Sequence, residues 1–383
     1  MSSTAPAPQP SSPSQAQGAQ IPLQSFNLPS FPREAQGLKA LTLTSDIKLD
    51  EYTDLLKQAV AVPTSIPRGI ESLTLELFSM GYPPGFLESL SKQLPNVKSL
   101  VLYSQLFAGI SPESAQDAEK FFETSKNLRA IHFLDVFSRP GFVAAVAPHL
   151  RGRERPVLFL EINYSFRHAD DEFLDRVPAE ELPELISPSL VSCAFNFSEM
   201  DRTDDPDDPT NLTAGEGEGA DGKKEGKAEG IRAFEKEKSG KLVQVLLKEE
   251  TAPRTLKALN VTMYTLAVEQ LKEVLEKHKG LMVLNVTLEA GGEDKEALLE
   301  MVEKCPELEQ VEIVLSADVQ DPSDIRKSLV GICPDAKAMQ KLSQQCSKLH
   351  SLKISVLRTT SSGTVDWDRS AGFWKGGFKA VEA

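Results

Sequence analysis

The side chains able to do chemistry are few and scattered. Five histidines and four cysteines occur in 383 residues. Cys193, Cys305, Cys333 and Cys346 show neither C-x-x-C spacing nor the density of a disulfide framework. There is no His-Glu-x-x-His pair, no Gly-x-Ser-x-Gly elbow and no glycine-rich phosphate loop ending in Gly-Lys-Ser/Thr. The run "DDPDD" at 204–208 is acidic enough for calcium. It lacks the turn glycine and closing glutamate a calcium loop needs, so it reads as a solvated charge run. His132 projects from a predicted strand, but the sequence assigns it no cysteine, serine or carboxylate partner. Arg139 and Arg167 follow two successive predicted strands, and on one rim they would hold a phosphate or carboxylate. Two solvated arginines are the plainer reading. No catalytic group, metal site or cofactor site is expected from this set.

Composition narrows the classes further. Lys plus Arg number 42 against 56 Asp plus Glu, a formal charge of −14. Such a chain is repelled by nucleic-acid phosphates and anionic lipids, so neither partner is expected. No apolar run approaches the ~20 residues of a membrane helix. The first 32 residues carry no charged side chain, unlike a secretory signal or a mitochondrial presequence. With thiols expected to be buried, a reducing compartment follows, the cytoplasm or nucleus.

The elements that must position any site are written in a repeated phrase. "LKALTLT" at 38–44 returns as "LKALNVT" at 256–262. Both have apolar residues at the first, fourth and sixth positions, and that spacing occurs ten times. Its instances begin at Leu38, Ile70, Val97, Leu128, Val157, Leu190, Leu256, Leu281, Leu308 and Leu349. Successive starts cluster near 30 residues apart, the mark of a solenoid. The end of each phrase alternates with period two, as a strand does. Helical stripes lie between phrases, as in Val268, Leu271, Val274 and Leu275 of "LAVEQLKEVLEKHKG". Strands joined through helices must be parallel with right-handed crossovers. The Thr, Ser and Asn between the strands' apolar residues argue against a doubly wound sheet, whose strands are apolar throughout.

The phrase with its intervening helices resembles the leucine-rich-repeat superfamily, in the long-repeat α/β form of the ribonuclease-inhibitor and F-box/leucine-rich proteins. The resemblance spans about residues 37–360 and implies a curved right-handed solenoid. About ten parallel strands would line its inside, with helices on the convex face. The family's Asn or Cys just beyond the strand is replaced here by residues such as Phe78, Gln105 and Tyr264, which implies irregular curvature.

Around the solenoid at 35–360, residues 1–34 are expected to be a disordered tail and 199–239 a disordered acidic insertion on the rim. Residues 361–383, with Trp367, Phe373, Trp374 and Phe378, are expected to be a tail or a cap. The positions alternating with the buried phrase would line the concave face, among them Glu76, Tyr103, His132, Leu134, Phe159, Glu161 and Asn163. Of thirty such positions only Glu76, Glu161, Glu312 and Lys353 are charged. This suits a neutral protein surface, so a monomeric adaptor or scaffold binding a protein partner is expected. Alternatives drawn from the resemblance are a regulator of a small GTPase or other enzyme, with Arg139 or Arg167 on the rim, and a substrate receptor of a ubiquitin ligase.

Overall fold

All ten phrases form strands of one sheet, in the frame the phrase sets. The computed structural model describes residues 18–58, 60, 62, 66–166, 176–199, 233–316, 331–356, 364–369 and 373–375. Eleven parallel strands follow one another: β1 Gly18–Leu23, β2 Ala40–Ser45, β3 Ser72–Glu76, β4 Ser99–Leu106, β5 Ala130–Phe137, β6 Phe159–Phe166, β7 Ser192–Glu199, β8 Ala258–Ala267, β9 Val283–Glu289, β10 Gln310–Leu315 and β11 Ser351–Val356. Two antiparallel strands, β12 Thr364–Asp368 and β13 Phe373–Lys375, extend the sheet beyond β11. Strand order equals chain order throughout. A doubly wound sheet must reverse its order at a switch point; this one does not.

The helices form a single layer. They are α1 Leu49–Leu55, α2 Phe86–Gln93, α3 Pro112–Thr124, α4 Phe142–Leu150, α5 Lys236–Leu247, α6 Val268–Lys277, α7 Lys295–Glu303 and α8 Ala336–Gln345. Neighbours pack in sequence, α2 on α3, α3 on α4, α5 on α6, α6 on α7 and α7 on α8. The first residues of the strands are buried alternately, for example Leu73 and Leu75 of β3 but not Ser72, Thr74 or Glu76. Helices ~10 Å wide stacked against strands ~4.8 Å apart force the sheet to curve with the strands inside.

Register is held by a repeated backbone device at the strand entrances. The Lys39 carbonyl accepts from the Glu71 and Ser72 amides at 2.8 and 3.1 Å, and the Glu71 carbonyl from Lys98 and Ser99 at 2.7 and 3.1 Å. The same fork recurs from Lys98, Arg129, Leu158, Val191, Lys257, Met282 and Glu309. One carbonyl therefore ties each repeat to the next.

The other orphan groups, at the helix C-termini, are met by side chains of the following repeat. His278 donates through Nε2 to Leu246 O at 2.9 Å, and Cys346 through Sγ to Val302 O at 3.4 Å. Cys305 reaches toward Leu275 O at 3.9 Å. Arg153 serves Phe122, Ser125 and His149 carbonyls, and Arg369 those of Ser343, Cys346 and Leu349. Helix starts are treated alike: the buried Asp117 carboxylate of α3 accepts from the Leu87 and Glu88 amides of α2 at 2.9 and 3.0 Å. Where the family pattern expects Asn, Gln105 is buried and bridges Leu75 O at 2.8 Å and the Tyr82 hydroxyl at 2.7 Å.

Two expectations change at the edges. Residues 18–34 are not a tail without a core. β1 pairs with β2, and Leu23, Phe26 and Leu28 are buried. Phe26 packs edge-on against Tyr52, Tyr82 and Phe86 at 5.6–6.2 Å between ring centroids. This segment lacks the repeat phrase, and Pro22 is tolerated because β1 is an edge strand. The insertion is shorter than 199–239. Glu199 ends β7, Phe234 bridges to Tyr264 beside β8, and α5 begins at Lys236, while 200–232 lie outside the described residues. Beyond β11, Trp367 is buried opposite Leu352, with the Arg369 guanidinium 5.9 Å from its ring. Phe378 lies outside the described residues.

Burial sets two measurable properties. It pushes the Cys193 thiol up to about 12 and those of Cys305 and Cys333 to about 11, and it also raises Cys346. The folded protein should therefore be inert to a disulfide reagent at neutral pH and react fully only after unfolding in guanidinium. Burial also lowers the pKa of His278. The unfolded chain then binds a proton that the folded chain does not, so stability should fall as pH drops below the ordinary histidine range. Urea melts from pH 7 to 5 should show a flatter pH dependence for His278→Gln, whose amide keeps the bond to Leu246.

Candidate functional site

The helix layer covers one face of the sheet and leaves the other open. Because the registers align, its side chains form rows across the strands. One row runs Ser72, Ser99, Ala130, Phe159, Ser192, Ala258. The next runs Thr74, Val101, His132, Glu161, Ala194, Asn260, and the third Glu76, Tyr103, Leu134, Asn163, Asn196. The expected residues Glu76, Tyr103, His132, Leu134, Phe159, Glu161 and Asn163 thus lie together on β3–β6, each at least partly accessible. One of the thirty lining positions is wrong. In β8 the residues between Val261 and Thr265 bulge out, so Thr265 pairs with Thr287 and that side chain turns inward, donating to Thr262 O at 2.8 Å.

The floor is small and polar, and a few large residues stand above it. Phe159 is 48% exposed between Ala130 and Ser192. Tyr103 and Leu134 adjoin each other, with Val101 and Glu76 alongside. Charges are sparse: Lys353 pairs with Glu312 at 2.6 Å, and His132 Nε2 lies 3.9 Å from Glu161 Oε1, too far for a hydrogen bond. Among the described residues His132 Nε2 and Asn196 Oδ1 have no hydrogen-bond partner although water hardly reaches them.

Backbone strain sits at the upper border of this patch. Leu77, Ser104 and Asp135 all have positive φ, at 62°, 49° and 52°. They follow Glu76, Tyr103 and Leu134, three residues adjacent in register, so a left-handed residue recurs at one level of three strands. The turn leaves Leu77 48% exposed beside the apolar group. Sequence reasoning missed Leu77 because period-two alternation ends at Glu76, and nothing in the pattern marks a left-handed leucine.

Of the two rim arginines the described residues include one. Arg139 is exposed and lines an open groove of about 830 Å³ with Glu113, Glu119 and Phe142. Those carboxylates oppose an anion there. Arg167 lies outside the described residues. Among the described residues no group of three His, Cys, Asp or Glu is placed to hold a metal ion. Among the described residues no helix is long and apolar enough to cross a membrane.

No family model matches the chain, and no curated protein does. Solved structures do. An internalin from Listeria monocytogenes matches with 14% identity over 83% of this chain and 67% of its own, at a TM-score of 0.31. A leucine-rich-repeat protein from Leptospira interrogans matches with 12% identity over 87% and 76%, at 0.33. The fold is a leucine-rich-repeat solenoid. That statement rests on the strand order, the registers and the single helix layer, not on overlaps this partial.

Accessible residues should be dispensable for folding. Alanine at Tyr103, Leu134 and Phe159 should each cost no more than about 1 kcal/mol in urea unfolding, against roughly 3–5 kcal/mol for the buried Phe86→Ala.

Proposed function

We propose that this chain is a protein-interaction module, an adaptor or scaffold that binds a partner protein on its concave face. The observation that carries this reading is a set of large accessible side chains on β4–β6: Tyr103 and Leu134, neighbours in register, and Phe159, four residues nearer the strand entrance. Aromatic and apolar anchors with surroundings that admit close approach supply most of the energy in protein docking. The strained level at Leu77, Ser104 and Asp135 supports the same patch, since left-handed non-glycine residues persist where the surrounding structure holds them.

Four buried free thiols support work in a reducing compartment, the cytoplasm or nucleus. Activation of a small GTPase needs an arginine able to reach a phosphate. Arg139, sharing its groove with Glu113 and Glu119, gives that role no support.

Affinity capture from a cell lysate tests the reading. Proteins recovered by the intact chain should be lost from Tyr103→Ala/Leu134→Ala/Phe159→Ala, with affinity falling about 30-fold or more, as removal of one or two anchors of ~2 kcal/mol implies. Equal recovery by both proteins would overturn it.

A further inference from the structure

The entrance side of the strands carries a charge opposite to that of the whole chain. The turns leading into β3–β6, residues 66–71, 94–98, 124–129 and 151–158, hold seven Lys or Arg side chains against two carboxylates, Glu71 and Glu154. The molecule itself has a formal charge of −14. Two of the seven, Arg151 and Arg153, are committed to helix and turn carbonyls. The remaining five, Arg68, Lys98, Lys126, Arg129 and Arg155, serve no helix.

Their placement is fixed by the fold. The turns are tied by the forked carbonyls of Glu71, Lys98 and Arg129, and by Asn96 and Asn127, whose amides donate to Arg68 O and Pro95 O at 2.9 and 2.7 Å. Arg155 extends this row through Asn127 at 2.7 Å. Lys98 is held by Glu71 at 2.6 Å, whereas Arg68, Lys126 and Arg129 have no ion pair among the described residues. Arg68, Lys126 and Arg155 are exposed, and Arg129 is partly so. Phe159 adjoins them: its amide donates to Arg129 O at 3.1 Å, and its ring is half exposed at the first position of β6. Cations and ring therefore form one ridge along the lower border of the concave face.

We propose that this ridge, with Phe159, docks a short acidic segment of a partner protein laid across the entrances of β3–β6. The proposal rests on the concave face being a docking surface and names the chemistry of what docks. Three strand spacings give a ridge of ~14 Å, which about four extended residues span. A peptide carboxylate meets a guanidinium in planar, paired hydrogen bonds. A nucleic acid suits the ridge less well. Single strands stack on successive aromatic rings, and here one ring stands alone.

Selection of a random-peptide phage library on the full chain tests the assignment. Enriched peptides should be rich in Asp and Glu, and should bind more weakly as salt rises. Their affinity should fall at least about tenfold in Lys126→Glu/Arg129→Glu, and also in Arg68→Glu/Arg155→Glu, should the first variant misfold by circular dichroism. Enrichment of neutral or basic peptides, no enrichment, or acidic peptides held equally by the charge-reversed proteins overturns the proposal. So does oligo(dT) binding the native protein more tightly than any selected peptide. Partners that are lost from Tyr103→Ala/Leu134→Ala but retained by the charge-reversed variants would sink the ridge and leave the concave-face reading intact.

Discussion

One carbonyl shared between two amides, repeated at every strand entrance from β2 to β11, fixes this molecule. Each fork sets the first residue of a strand opposite the first residue of the next. With a side-chain period of two, a slip of one residue would turn every buried leucine outward. Entrance turns such as 94–98 and 125–129 are short, and the longest connections fall at the opposite ends of the strands. There the chain leaves β7 at Glu199 and returns at Phe234, and β10 is separated from α8 by another long connection. The sheet is continuous across both. At β7–β8 only Ser192–Ala194 pair with Ala258–Asn260, and beyond them Phe197, Phe234 and Tyr264 fill the fork, with ring centroids 5.4–5.7 Å apart.

The stacking of identical units also explains which polar groups are buried. A helix in a solenoid ends against the next repeat rather than in water, and its last carbonyls must be met from there. His278, Cys305, Cys346, Arg153 and Arg369 differ in chemistry but occupy this one role. Two cysteines and a histidine that a motif search would weigh as reactive are thus donors to backbone. Their surroundings disfavour charge on any of them.

Much of this was legible in the sequence because the repeat phrase encodes burial directly. Leu41 and Leu43, Leu73 and Leu75, Leu100 and Leu102 are partners in register, as their spacing required. What stayed hidden depends on interactions that do not repeat. β1 carries no phrase and is held by pairing with β2 and by Leu23, Phe26 and Leu28. The turn of Thr287 inward comes from a bulge in a neighbouring strand, which no pattern within β9 reveals. The left-handed residues are Leu, Ser and Asp rather than Gly, so composition gave no sign of them. The lining residues on β3–β6 were recoverable because alternation alone decides which face they take. The ridge was not. Its cations are spread over some 90 residues and meet only when the turns stack.

A one-sided core leaves the opposite face without structural duty. Helix packing, end capping and register are all satisfied on the convex side or at the strand entrances, so side chains on the concave rows are free to vary with little effect on folding. Against that freedom the pattern is uneven. Ser, Thr, Ala and Asn fill most of the three rows, while the largest apolar side chains, Tyr103, Leu134 and Phe159, fall on three adjacent strands. The left-handed level borders the same strands, and so does the row of cations at their entrances. An exposed ring or leucine contributes little to stability where it stands, and a left-handed side chain costs about 1 kcal/mol or more. These features gather on one stretch of a surface that helix packing leaves free.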